Sequence, residues 1–317
     1  MLRRTILALP ALAALPAAAL EAGRPVRLVI AFPPGGSTDI LGRLVAPRMG
    51  ELLGTNVTPE NRSGASGAIG AGFVAQAAAD GHTLLLDSGG QAVNPALLRG
   101  LSFDYTTAFA PVTLMATLPL LLVVRAEVPA ADLGALLARL RAEQGLARYG
   151  SVGVGARTHL AMAALMRRAG IVAEHIPYRG GADQIAGLLR GDVPMGFTSV
   201  ALAGPLLRDG RVRALAVSSA ERSPQFPELP TVAEQGFPGF ALGDWLALLA
   251  PAGTPAATIA RLAAAAGEAV AQPALAPRLA DLGLEPAAEG PEALARFLAR
   301  ERADMARLIA EERITLD

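Results

Sequence analysis

The chain has 317 residues, 28 basic and 28 acidic side chains, no net charge and a composition that is 52% hydrophobic but only 4% aromatic. Every basic residue is arginine and there is no cysteine. The first absence removes a P-loop lysine and a Schiff base, the second removes thiolate nucleophiles, disulfides and cysteine-type zinc sites, and the neutral balance argues against a nucleic-acid partner. His82, His159 and His175 stand at spacings that match no metal motif, so neither a metal nor another cofactor is expected.

Residues 1–19 open with Arg3-Arg4, continue as an apolar run broken by Pro10 and Pro16, and close on the A-x-A sequence Ala17-Ala18-Ala19. They read as a secretory signal peptide, which predicts a periplasmic protein. The run Arg3-Arg4-Thr5-Ile6-Leu7 also fits a twin-arginine signal, so both the Sec and the Tat route stand. No later stretch reaches the roughly 20 uncharged apolar residues of a membrane helix. At roughly 150 residues per domain, the remainder is expected to form two lobes.

Short apolar runs at Val26–Ala31, Thr83–Leu86 and Leu120–Val124 read as strands, alternating with helical patterns at Ile40–Leu53, Ile69–Ala79 and Ala131–Glu143. The alternation continues with strands at Arg148–Val152, Val172–Pro177, Val193–Thr198 and Arg213–Ser218. Helices are expected between them at Thr158–Ala169, Asp183–Arg190 and Ala203–Asp209, and then at Pro255–Ala271, Ala274–Leu282 and Pro291–Glu311. Such a series predicts α/β layers with mostly parallel sheets. Arg125–Pro129 and the Pro/Gly-rich segment Ser223–Phe240 read as crossovers between lobes, giving lobe 1 as residues 20–125 with 239–317 and lobe 2 as residues 126–238. The expected oligomeric state is a monomer.

Several strand-to-helix junctions carry the chemistry. In Phe32-Pro33-Pro34-Gly35-Gly36-Ser37-Thr38-Asp39, prolines stiffen the strand exit, glycines let backbone approach a ligand, and Ser37, Thr38 or Asp39 caps the following helix. The first-turn N–H groups of that helix suit an anion cradle, and equally an ordinary strand-to-helix turn with Asp39 as its cap. Tyr149–His159 repeats the chemistry with Ser151, Gly153 and Gly155 before a helix opened by Thr158, and Tyr178-Arg179-Gly180-Gly181-Ala182-Asp183 repeats it again. Asp87 and Ser88 with Gly89-Gly90 form a fourth candidate. Each loop alone is compatible with plain turn geometry, whereas several at strand ends fit one shared anionic ligand. His159 reads either as a packed first-turn residue or as a ligand contact, and Arg179 either as a carboxylate anchor or as a partner of Asp183. Trp245 lies in the strand-like run Asp244–Ala250 and reads as core. No pair of carboxylates and no Ser/His/Asp set stands at a spacing that supports catalysis.

Residues 32–54 and 60–86, FPPGGSTDILGRLVAPRMGELLG and ENRSGASGAIGAGFVAQAAADGHTLLL, resemble the Bug family of extracytoplasmic solute receptors, the binding proteins of tripartite tricarboxylate transporters. NPALLRGLSFDYTTAFAPVTLMATLPLLLVV, YGSVGVGARTHLA, IPYRGG, LPTVAEQGFPG and LLAPAGTPAA extend the resemblance over the whole mature chain. It implies a two-lobed periplasmic binding protein of the type II kind that closes on a small carboxylate and delivers it to membrane permease subunits. It also implies that the loops matching Phe32–Asp39, Ser151–His159 and Tyr178–Asp183 hold the carboxylate, partly through water. The chain departs from the family pattern at Pro194 and Thr198, where acidic residues are common, at Asp183, where proline is expected, and at Asp87, where a small or hydroxyl residue is expected at the pocket edge. An acid at either last position would repel a second carboxylate and favour an amine.

Two rival readings follow from the same residues. One is a sensing receptor that passes its ligand to a signalling partner. The other is a dinucleotide-dependent enzyme, since Gly153-Val154-Gly155 precedes a helix and Glu174 follows about 20 residues on, although Thr158 stands where the third glycine belongs.

Overall fold

The structure, a computed structural model, describes residues 20–21, 23–142 and 147–315. The expected signal peptide at residues 1–19 lies outside the described residues, as does Glu143 at the end of an expected helix. In chain order the elements are β1 (Val26–Ile30), α1 (Ser37–Leu53), β2 (Val57–Asn61), α2 (Ala68–Ala75), β3 (Thr83–Asp87), α3 (Gly90–Leu97), β4 (Phe109–Leu118) and β5 (Leu120–Arg125). There follow α4 (Leu133–Ala142), β6 (Arg148–Ser151), α5 (Arg157–Arg168), β7 (Glu174–Pro177), α6 (Gly181–Arg190), β8 (Met195–Ser199), α7 (Val200–Arg208) and β9 (Val212–Val217). The last five are β10 (Asp244–Pro251), α8 (Ala256–Val270), α9 (Ala276–Asp281), β11 (Glu285–Glu289) and α10 (Pro291–Glu312).

The strands form two sheets, in the order β11-β4-β10-β3-β1-β2 and β7-β6-β8-β5-β9. Both are mixed. β1, β2 and β3 run parallel, as do β6, β7 and β8, but β10 is antiparallel to β3 and β4, and β5 is antiparallel to β8 and β9. The antiparallel pairs arise where the chain passes between sheets, because each crossing strand re-enters its sheet from the far side. The expected mostly parallel sheets are therefore confined to one half of each lobe.

The crossing itself lies earlier than the expected boundary at residue 125. β5 pairs with β8 and β9 in the second sheet, so the chain changes sheets at Pro119, between β4 and β5. It returns between β9 and β10. The two passages are tied side by side: the N–H of Leu120 donates to Ser218 Oγ at 3.0 Å, and that of Ser218 donates to the Leu120 carbonyl at 2.9 Å.

Alternate residues of the central strands feed different cores, as the period-two geometry of a strand requires. Leu28 and Ile30, Leu84 and Leu86, and Leu246 and Leu248 pack beneath α1 and α8, while Val29, Leu85, Trp245 and Leu249 join a core on the opposite face. That second core continues through Leu120, Leu122 and Val124 into the other sheet and ends on Leu294, Leu298 and Met305 of α10. Burial on both faces explains why these strands read as unbroken apolar runs. No helix among the described residues is long and apolar enough to cross a membrane.

Candidate functional site

The parallel halves direct the carboxyl ends of β1, β2 and β3 to one edge of the first sheet and those of β6, β7 and β8 to one edge of the second. These edges meet. A Cβ added at Gly155, after β6, would lie 2.4 Å from Leu97 Cδ1 on α3, and one at Gly89, after β3, would lie 2.9 Å from the Cγ and Cδ of Arg157 on α5. The ends of β3 and β6 thus lie together where the two sheets meet.

The first loop and the loop after β6 are built alike. Gly35 (φ +84°) and Gly155 (φ +74°) are both in the left-handed region, and each is followed by an extended N-cap residue, Gly36 or Ala156. In each the glycine N–H donates to the side chain four residues on, to Asp39 Oδ2 at 2.9 Å and to His159 Nδ1 at 3.1 Å. The side chain that follows the turn by one helical step thereby cinches it. Neither helix has a side-chain N-cap, nor has α6 behind Gly180, so their first-turn N–H groups remain for a ligand.

The side chains of several expected contact residues are committed elsewhere. Asp39, nearly buried, also accepts from Arg43 Nε at 2.9 Å and Asn61 Nδ2 at 2.8 Å. Burial raises its pKa, but the bonds from Gly35, Asn61 and Arg43 outweigh burial and hold the carboxyl below its ordinary value. Thr158 Oγ1 accepts the Val152 N–H, and Ser151 Oγ lies 2.6 Å from His175 Nε2. His175 stacks on His159 with ring centroids 3.7 Å apart. Burial pushes His159 to about 3, with the neighbouring His175 adding to the effect, and pushes His175 to about 4, so both rings are neutral at pH 7. His159 is packed in the first turn of α5, with its Nδ1 taken by the Gly155 N–H.

Asp87, expected at the pocket edge, lies in the interior. It is fully buried, with Oδ1 accepting the Ser88 N–H at 2.8 Å and Oδ2 accepting Gln91 Nε2 at 2.9 Å. Burial, assisted by the nearby Asp244 charge, raises it to about 7 despite these bonds. Ser88 is buried beside it. Of the remaining expected residues, Pro34, Gly35, Gly36, Arg179, Ala182 and Asp183 are exposed, Phe32, Ser37, Gly153, Gly180 and Gly181 are half-buried, and Thr38 is buried. Tyr178 lays its ring against Gly150 and Gly187, with its hydroxyl buried and unpartnered. Arg179 and Asp183 share an open groove of about 370 Å³ along the outer face of α6 with Pro177, Ala186 and Arg190.

Three features escaped the sequence reading. The loop after β2 packs between the first and fourth loops: a Cβ at Gly67 would sit 3.1 Å from Asp87 Oδ1 and 3.5 Å from Phe32 Cζ, and the carbonyl of Ser66 accepts Asn94 Nδ2 at 2.9 Å. Ala65 and Ser66 hold left-handed conformations there, at φ +46° and +51°. Its signal, glycines before a helix in SGASGAIG, is the one used for the other loops. Second, Arg157 is buried at the junction of the lobes. Its Nε and Nη2 donate to the Gly243 carbonyl, its Nη2 lies 2.9 Å from Glu301 Oε2 on α10, and its Nη1 reaches Met305 Sδ. Third, Asp244 accepts the Gly89 N–H at 3.2 Å and the N–H of Trp245, whose indole donates to Glu301 at 2.8 Å. Glu174 opens β7 and lies beside Arg148, so it sits at the opposite end of the sheet from the loop that a dinucleotide would need.

Two lobes joined by two crossings, with glycine turns leading into helices at the carboxyl ends of their parallel strands, are the architecture of periplasmic solute-binding proteins. Residues 41–314 match the model of the tripartite tricarboxylate transporter family receptors (TctC), and the chain belongs to that family. It is 34% identical over 280 residues, 88% of this chain and 86% of the other, to the protein BugT of Bordetella pertussis. Among solved structures it is similar to Rpa4515 of R. palustris with adipate, at 32% identity and a TM-score of 0.83 over 92% of this chain and 98% of that one. It is likewise similar to MatC (Rpa3494) of Rhodopseudomonas palustris with bound malate, at 32% identity and a TM-score of 0.78 over 90% and 99% of the two chains.

Proposed function

We propose that the protein is a periplasmic receptor that captures a small carboxylate in the interlobe cleft and hands it to the permease subunits of a tripartite tricarboxylate transporter, by binding and release without chemistry. The observation that carries this reading is the pair of cinched glycine turns, Gly35–Asp39 and Gly155–His159, each leading into a helix with no side-chain cap. Two such N-termini, one from each lobe, offer outward N–H groups and positive dipole ends to one anion, which suits a chain without lysine. Membership of a receptor family whose relatives hold adipate or malate supports the same ligand class.

On this reading Phe32–Ser37, Val152–Ala156 and Tyr178–Ala182 contact the ligand through backbone and water, while Asp39, Ser151, Thr158 and His159 hold the loops in shape. Lobe 1 comprises residues 20–118 with 244–315, lobe 2 comprises residues 120–217, and the passages at Pro119 and Ser218–Gly243 act as the hinge. Export through a signal peptide at residues 1–19 and a monomeric state complete it.

A thermal-shift screen of the purified protein against mono-, di- and tricarboxylates, amino acids and NAD(H) tests this. A ligand at 100 times its Kd should add about 2.7 kcal/mol. Stabilisation by a carboxylate is the expected result, and stabilisation by NAD(H) alone would overturn it.

A further inference from the structure

The turn after β6 is held by its own side chains and by α5. Val152 donates its N–H to Thr158 Oγ1 and Gly153 to Ser151 Oγ, both at 3.1 Å, while Gly155 donates to His159 Nδ1 at 3.1 Å and Ala156 to the Gly153 carbonyl at 3.3 Å. From Val152 to Ala156, only the Val154 N–H is left without an acceptor among the described residues. Gly153 and Gly155, at φ +136° and +74°, would let this stretch adopt many shapes, so its bonds impose the one it holds.

Two of these clamps lead to one pair of imidazole rings. His159 takes the Gly155 N–H directly. His175, opposite Tyr149 in the parallel register of β6 and β7, places Nε2 2.6 Å from the Ser151 Oγ that takes the Gly153 N–H. The two rings stack with centroids 3.7 Å apart and planes 7° from parallel, and Tyr149 lies alongside with its ring centred 5.2 Å from that of His175. Stacked rings beside a strand are ordinarily core, but here each spends a nitrogen on the turn. Because His159 Nδ1 accepts, its proton sits on Nε2, and a charged ring would put an N–H where Gly155 needs an acceptor. Burial keeps both rings neutral, so that acceptor stays in place.

We propose that His175 is a positioning residue for the ligand: with His159 it forms one stacked unit that fixes the turn entering α5, His175 through Ser151 and His159 through Gly155. His175 touches no ligand on this account and acts by setting where the backbone donors of the turn and of the first turn of α5 stand. The inference rests on the receptor reading above and adds to it the residue, on a neighbouring strand, that shapes the second lobe's half of the site.

Calorimetry of the parent, His175→Phe and His175→Gln with acetate, benzoate, adipate, malate and citrate tests it, alongside their melting temperatures. Phenylalanine keeps a ring against Tyr149 and His159 but offers nothing to Ser151, whereas glutamine brings an amide that can donate to the hydroxyl or accept from it. For whichever acid binds the parent, His175→Phe should weaken binding about tenfold with no fall in melting temperature, and His175→Gln should stay within about twofold of the parent. A packing role alone would do the reverse, sparing phenylalanine and penalising glutamine. A His175→Phe variant that binds as the parent does, or affinity losses in both variants that follow losses of melting temperature, overturns the inference and leaves the receptor reading standing. Imidazole 15N spectra give a readout that needs no ligand: His159 should be the neutral Nε2–H tautomer from pH 8 to pH 5, and a charged or Nδ1–H ring in that range also overturns the inference. A folded parent that binds none of these acids removes both.

Discussion

Asp87 sits fully buried between two donors, and its pKa is raised to about 7, first by burial and then by the Asp244 charge. An acid raised in this way stabilises the fold below its unfolded value near 4 and surrenders that stability as pH rises through about 7. Asp87→Asn should therefore be more stable than the parent at pH 8, by up to about 4 kcal/mol, and about equal to it at pH 4. Gln91 Oε1, buried without a partner, is available to accept from the new amide once its own amide turns over. Denaturant titrations at both pH values check this, and a variant weaker at pH 8 would mean that the charge itself is needed. At the glycines the two lobes differ. A Cβ at Gly36 meets nothing nearer than the Pro33 carbonyl at 3.7 Å, whereas one at Gly181 would fall 2.2 Å from Leu202 Cδ1. Gly36→Leu should keep its melting temperature and lose at least about tenfold in ligand affinity by blocking close backbone approach. Gly181→Leu should lose stability as well, because it must displace α7. The loops themselves were legible in the sequence because glycine before a helix is a local signal. The direction of each side chain was not, since Asp39 is claimed by Asn61 and Ser151 by His175, partners 22 and 24 residues away.

At the scale of elements, the interior strands were readable as apolar runs and the long helices as amphipathic ones. The strands missed were β2, β4 and β11, and each contains a proline: Pro59, Pro111 and Pro286. β2 and β11 are the two edges of their sheet, where a missing N–H costs no ladder bond, so polar, proline-bearing segments are tolerated there. The crossover was misplaced because β4 and β5 are separated by Pro119 alone and only long-range pairing assigns β5 to the second sheet. The contact between α5 and α10 is also far from local. Arg157 and Glu301 form a nearly buried pair, with side chains 7% and 15% exposed, so removing one partner strands the other. Arg157→Met should cost about 3–5 kcal/mol in denaturant unfolding. Adding Glu301→Gln should restore part of that, and a double variant no better than the single would mean that Arg157 acts through Gly243 and Met305 instead.

For the whole molecule, the receptor reading makes the two side-by-side passages, bonded at Leu120 and Ser218, the line about which the lobes close on a ligand. Small-angle scattering should record a smaller radius of gyration with ligand than without, and Gly36→Leu should abolish that change at ligand concentrations that saturate the parent. The Arg157 cluster lies at the joint, and it includes Trp245, the chain's single tryptophan. Its indole N–H is held by the same carboxylate that grips the arginine of the other lobe. An indole that shares its acceptor with a moving cation feels any change in that cation's position through the local field. On the receptor reading, then, the emission of this single tryptophan is expected to change as ligand draws the lobes together, and an unlabelled sample titrated by light alone checks it.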